Sequence, residues 1–199
     1  MAVISNGTTL IDAGAIDSGI ATGSMTLINT LTASSSATLT FSSGITSTYK
    51  EYLFTFNNMH PADNSVQFLV NFRDGSTAYD ATKTTSFFTA DHSEAGSTDG
   101  LVYVSGQDLA QSTAFQPLTV DTGNRSDESC CGHLRLFDPA STTYVKNFFA
   151  RMNNYVSNNY SEDSYAAGYC NVTAAIDGVQ FKFASGNIDS GTIKMYGIK

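Results

Sequence analysis

Along most of the chain, apolar residues recur at every second position in short runs separated by turn residues. EYLFTFNNM sets Tyr52, Phe54 and Phe56 on one side, and VQFKFAS does the same with Val179, Phe181 and Phe183. GHLRLFD alternates Leu134 and Leu136 with His133 and Arg135; the closing run SGTIKMYGIK alternates Ile193 and Met195 with Lys194 and Tyr196. A period of two is that of a strand with one buried and one outward face. With MTLINTL, ATLTFSS, SVQFLVNFR, TTSFFTA, LVYVSG, FQPLTV, YVKNFFARMNNY and YAAGYCNVT the chain reads as about ten strands, with turns such as Asp74-Gly75-Ser76 and Asp138-Pro139 between them. The polar stretches DHSEAGSTDG and VSNNYSEDS read as loops, and residues 105–130 as an irregular loop around FQPLTV. No window carries a capped amphipathic helix, and only SGQDLAQS suits a single helical turn.

Short strands at regular spacing without helices predict an all-β fold, a jelly-roll-like antiparallel β-sandwich over residues 25–199. The C-terminal strand is expected to be paired on at least one side, so that its loss would expose a neighbour. Residues 1–24 differ. Val3, Ile4, Leu10, Ile11, Ile16 and Ile20 are spread singly among small polar residues, too sparse for a core of their own. They read as an extended N-terminal arm for attachment or subunit exchange, with a short edge strand as the alternative.

Composition narrows the setting. Charged residues make up 14% of the chain, against roughly 25% in ordinary soluble domains, so the polar surface must be built from Ser, Thr, Asn and Gly. That suits a subunit packed against others. The net charge is −8 and the 10 basic residues do not cluster, which argues against a nucleic-acid partner and against binding to anionic membranes. No apolar run approaches the ~18 residues of a membrane-spanning helix, so membrane insertion is not expected. The first residues lack the basic and apolar regions of a signal peptide, so classical export is not expected. The glycosylation-like Asn6, Asn124, Asn159 and Asn171 then read as incidental. Cys130, Cys131 and Cys170 are odd in number and read as reduced packing residues; the adjacent pair should face opposite ways in a strand.

Catalytic chemistry is sparse. There is no nucleophile elbow, phosphate loop or HExxH motif. His60, His92 and His133 stand far apart in sequence, and Asp91-His92-Ser93-Glu94 with Asp99 lacks the regular oxygen spacing of a calcium loop. Asp127-Glu128 and Glu162-Asp163 are carboxylate pairs of the kind that hydrolyse glycosides, but on Ser/Asn-rich segments they read as solvated loop acids. No catalytic, cofactor-binding or metal-binding residue is assigned, and the chain is read as a non-enzyme. Tyr155, Tyr160 and Tyr165, with Tyr169, cluster in or beside an Asn/Ser-rich loop. Tyrosine and asparagine in such a place suit sugar stacking or a protein interface.

ISNGTTLIDAGAIDSG, LINTLTASSSATLTF, EYLFTFNNMHP, FRDGSTAYD, LFDPASTTYVKNF and VQFKFASGNIDSGTIKMYGIK, spread over almost the whole chain, resemble small structural proteins of tailed bacteriophages of marine bacteria, particularly of cyanobacteria. The resemblance implies a virion component, assembled in the host bacterial cytoplasm, and supplies no catalytic residues. It leaves capsid and tail both open. The expectation is a homo-oligomeric capsid decoration or cement protein on the particle exterior, in contact with the major capsid protein or tail proteins. Alternatives are a tail- or fibre-associated module that binds a receptor or host-surface glycan, and, after that, a virion-associated hydrolase.

Overall fold

The structure is a computed structural model that describes residues 24–199, and before them only the backbone of three short strands. Those strands, β1 (Val3–Ser5), β2 (Thr8–Asp12) and β3 (Ala15–Ile16), pair antiparallel with one another. The side chains of Val3, Ile4, Leu10, Ile11, Ile16 and Ile20, on which the reading of an attachment arm depends, lie outside what is described.

The remaining strands are β4 (Met25–Thr32), β5 (Leu39–Phe41), β6 (Glu51–Pro61), β7 (Phe68–Arg73), β8 (Lys83–Ser93) and β9 (Asp99–Tyr103). They continue with β10 (Gln116–Pro117), β11 (Cys130–Phe137), β12 (Lys146–Val156), β13 (Tyr160–Cys170), β14 (Gly178–Phe183) and β15 (Ile188–Ile198). They form an antiparallel β-sandwich of unequal layers: eight strands in the order β4-β15-β6-β11-β12-β13-β8-β9 against four in the order β10-β7-β14-β5. The helical turn expected in SGQDLAQS is a single 3₁₀ turn, Ser105–Gln107.

The alternation in the sequence is the alternation in space. Tyr52, Phe54, Phe56, Leu134, Leu136, Val179, Phe181, Phe183, Ile193 and Met195 all face inward and are buried. Phe181 of the small sheet is a hub. Its ring lies 5.1 Å from Phe56, 5.7 Å from Phe54, 5.9 Å from Phe68 and 6.3 Å from Phe41. Each buried phenylalanine contributes roughly 1.5–3 kcal/mol relative to exposure, so this cluster is the main adhesive between the layers. The C-terminal β15 pairs with β4 on one side and β6 on the other. Gly197, near its end, has the Tyr49 ring lying where a side chain would stand.

Four strands cannot cover eight. Beneath β12, β13 and β8 the inner face is covered by the irregular segment 104–122 instead. It first runs along the edge of β8 (Val104 N–H to Phe87 O, Lys83 N–H to Ser112 O), then crosses to pair Gln116 and Pro117 with β7. Irregular backbone cannot satisfy its own polar groups when buried, so side chains must do so. The Thr85 hydroxyl accepts Leu109 N–H at 2.8 Å, Glu162 Oε1 accepts Val120 N–H at 3.3 Å, and Asn154 Nδ2 donates to Asp121 O. That is why this half of the interior is polar.

Two stretches expected as loops are hairpins. β8 runs on through Asp91, His92 and Ser93 and returns as β9 from Asp99. β12 and β13 leave only Ser157, Asn158 and Asn159 between them, with Asn159 at φ +65°, and Asn159 N–H closing on Val156 O at 2.9 Å. Hydrophobic periodicity misses SEDS because its inward positions, Glu162 and Ser164, are polar yet buried.

Candidate interaction face

The pleat of β12, β13 and β8 puts a second set of residues on the outer face of the large sheet. Cross-strand register aligns His133 of β11, Arg151 of β12, Tyr165 of β13, Phe88 of β8 and Tyr103 of β9 in one row. Tyr165 and Phe88 stack with ring centroids 4.6 Å apart and planes 6° from parallel. From the other flank, the Arg151 guanidinium carbon lies 5.3 Å from the Tyr165 centroid, a cation–π contact. Asp163 ties the row together. It accepts Arg151 Nε at 3.1 Å and Nη2 at 2.7 Å, and the Tyr165 hydroxyl at 2.9 Å. Burial alone would raise the Asp163 pKa, but the hydrogen bonds from Arg151 and Tyr165 and the Arg151 charge outweigh it and hold the carboxyl below its ordinary value. The hydrogen bond to the same carboxylate raises Arg151 and Tyr165.

Beside this row Phe149 is exposed, with the Phe137 ring 5.5 Å away. Ala167 and Ser86 align with Phe149 on the next two strands. Small side chains between large rings leave a depression of about 520 Å³, walled by Phe88, Tyr165, Arg151, Phe149 and His133. Beyond it lies β9, hydrogen-bonded to β8 alone and so forming one edge of the sheet. All five of its residues are exposed, Leu101 at 74%, Val102 at 48% and Tyr103 at 61%. Neighbouring strand residues point to opposite faces, so among the described residues β9 is uncovered on both.

The three tyrosines singled out in the sequence sit on strands flanking the Ser157–Asn159 turn, not in a loop. Tyr155 and Tyr165 share the outer face; the pleat gives Tyr160 the inward parity of buried Glu162 and Ser164. Tyr155 donates to Asn159 Oδ1 at 3.3 Å. Both ring faces of Tyr165 are taken, by Phe88 and by Arg151. Tyr169 aligns with Asn147 and Thr84 on neighbouring strands.

Of the two carboxylate pairs, only Asp127 is the solvated loop acid expected. Glu128 is buried and accepts Arg125 N–H at 2.7 Å, while Asp127 is exposed. Glu162 is buried on the inner face and Asp163 lies on the outer one, so their carboxylates cannot converge on one substrate. His60 is half-buried with Nδ1 2.7 Å from Glu128 O, His92 is exposed, and His133 is half-buried on the outer face. Among the described residues no three His, Cys, Asp or Glu side chains converge as a metal-binding group. All three cysteines are free. Cys130 and Cys170 are buried, and Cys131 faces the other way, taking Asn58 N–H on its sulfur at 3.2 Å.

Phe88, Phe149, Arg151, Asp163 and the β9 residues went unassigned in the sequence, yet a signal for two of them is there. Phe87-Phe88 and Phe148-Phe149 are doublets inside period-2 strands, and one member of each must face outward. No protein-family model matches the chain, and no curated protein matches it.

Proposed function

We propose that the chain is a non-catalytic structural subunit of a bacteriophage virion, joined in several copies as a capsid decoration or cement protein on the particle exterior. The virion setting rests on the sequence resemblance. The observation that carries the role of an assembling subunit is β9, an edge strand with Leu101, Val102 and Tyr103 exposed and, among the described residues, no cover on either face. Natural proteins protect such edges with charge, proline or a covering element, and β9 carries only Asp99, at its start. Exposed apolar groups that continue into the Phe88 and Phe149 face have the character of a protein–protein contact. Many modest contacts of this kind hold a subunit on a repeating shell.

Antibody labelling of intact virions, with sedimentation of the purified chain, tests the proposal. Label over the capsid surface and a self-associated wild type are expected, with Leu101→Asp shifting the chain to monomer. Unlabelled particles would remove the virion role, and a wild type that sediments as monomer at all concentrations would remove β9 as a subunit contact.

A second reading is the tail- or fibre-associated glycan-binding module. The depression between Phe88 and Phe149 favours it, with the Arg151–Asp163 pair at its side. The occupied faces of Tyr165 count against it, because a sugar stacks on a free ring face. Host-surface glycans retained by wild type and lost with Phe149→Ala would support this reading over the first. A hydrolase finds no support in Glu162 and Asp163, which face apart.

A further inference from the structure

Lys83 and Lys146 are both fully buried. Register places Cys170 between them in one inward row, Lys146–Cys170–Lys83. Among the described residues neither ammonium has a carboxylate in salt-bridge contact. Lys146 Nζ donates to a backbone carbonyl, Val172 O, at 2.8 Å. Lys83 Nζ donates to Ala81 O at 2.7 Å and to the side-chain amide oxygen of Asn71 at 2.6 Å. Asn71 is itself buried. The two residues belong to different layers, Lys83 to β8 of the large sheet and Asn71 to β7 of the small one. They meet where segment 104–122 crosses between the sheets, with Asn71 Nδ2 donating to Thr113 O at 3.0 Å.

We propose that Lys83 and Asn71 form an intramolecular isopeptide bond that joins the two sheets covalently. The neutral Nζ attacks Cγ of Asn71 and the Nζ–Cγ bond forms. The Cγ–Nδ2 bond breaks, a proton lost by Nζ goes to Nδ2, and ammonia leaves. Nothing is oxidised or reduced and no co-reactant is consumed. Three features of the site favour the step. The amine rests on the amide it attacks, so the encounter is prepaid by the fold. Phe72 N–H also donates to Asn71 Oδ1, at 2.9 Å, and stays to stabilise the oxygen as charge develops there. Burial raises the neutral fraction of the amine by lowering the Lys83 pKa to about 8, and desolvated lysines are nucleophilic for this reason. Lys146 is an internal control, equally buried but without a side-chain amide as partner.

Intact-mass measurement of the denatured, purified full chain tests this directly. The wild type should weigh less than its sequence by one ammonia, and digestion should release the Lys83 and Asn71 peptides as one branched species. Asn71→Ala and Lys83→Arg should each restore the sequence mass, and Lys146→Arg should keep the deficit. A wild type at full sequence mass overturns the proposal. So does a deficit with Asn71 in a linear peptide, which would be a succinimide formed by the backbone.

Discussion

Glu162 and Asp163 are neighbours in sequence, yet the pleat of β13 sends them to opposite faces of the large sheet, and the faces treat them differently. Inside, burial raises the Glu162 pKa, and hydrogen bonds from Val120 N–H and the Ser164 hydroxyl only partly offset it. Outside, Arg151 and Tyr165 hold Asp163 down. The contrast extends along the strands. The inner face of β12, β13 and β8 holds Lys146, Lys83, Asn154 and Glu162, while the outer face exposes Phe88 and Phe149. The inner face also buries Phe87, Phe148 and Met152, and the outer one carries Arg151 and Asp163. The unusual part is therefore the buried charge of Lys83, Lys146 and Glu162 beside exposed aromatic surface. Segment 104–122 satisfies Glu162 and Asn154 inside; among the described residues no comparable segment packs on Phe88 and Phe149. The inner charges have partners within the fold, whereas the outer aromatics are the surface on which the proposed subunit contact rests.

The largest effect that would break or sharpen this contrast is on the aromatic interior. Phe181→Ala removes the ring that four other phenylalanines touch, and truncation of a buried phenylalanine costs about 3–5 kcal/mol. Tyr165→Ala on the outer face should cost far less in denaturant melts, because its ring contacts only the surface row. Equal losses would mean that the outer row is part of the folding core and not a face kept for a partner.

A smaller effect comes from adding atoms. Gly197→Ala sets a methyl against the Tyr49 ring on β15, and overpacking of this kind costs about 1–3 kcal/mol. Ala167→Val on the outer face enters open space beside Phe149 and should leave the melting temperature unchanged. It should weaken whatever docks in the depression. A stability loss from Ala167→Val comparable to that of Gly197→Ala would show the depression to be filled by the chain itself.

Much of this architecture was legible in the sequence, and the illegible parts share a cause. Phe54, Phe56, Phe181, Ile193 and Met195 declare their face because apolar and polar residues alternate around them. Ser161 to Ser164 declare nothing, since all four are polar. Of their inward members, Glu162 accepts Val120 N–H from segment 104–122 and Ser164 donates to Glu162, and periodicity cannot place that segment. Likewise Tyr155 and Tyr160 look equivalent beside the same turn, and only the exact strand register separates their faces. Arg151, Asp163 and Phe88 come from three strands, and only β-pairing brings them into one cluster. The Lys83–Asn71 contact is further still from sequence pattern, because it crosses between the sheets.

The smallest predicted effect is also the sharpest comparison, because it uses the two neighbouring carboxylates. In the unfolded chain Glu162 ionises near its ordinary 4.5, whereas in the folded chain burial keeps it protonated to higher pH. Between those points the folded state binds more protons, so the Glu162 contribution to stability falls as pH rises through that window. Asp163 has the opposite sign. Its folded pKa lies below the ordinary 3.8, so its contribution is present above that value and is lost as pH falls through the folded pKa. Glu162→Gln keeps an Oε1 acceptor for Val120 N–H and the Ser164 hydroxyl and removes the buried charge. It should melt slightly above wild type at pH 7 and converge with it near pH 4. Asp163→Asn should melt slightly below wild type at pH 7, because it frees Arg151 and Tyr165 from their shared acceptor. Melting curves of both variants across this pH range check the signs together. Shifts of the same sign would mean that the two faces of β13 do not differ electrostatically as described.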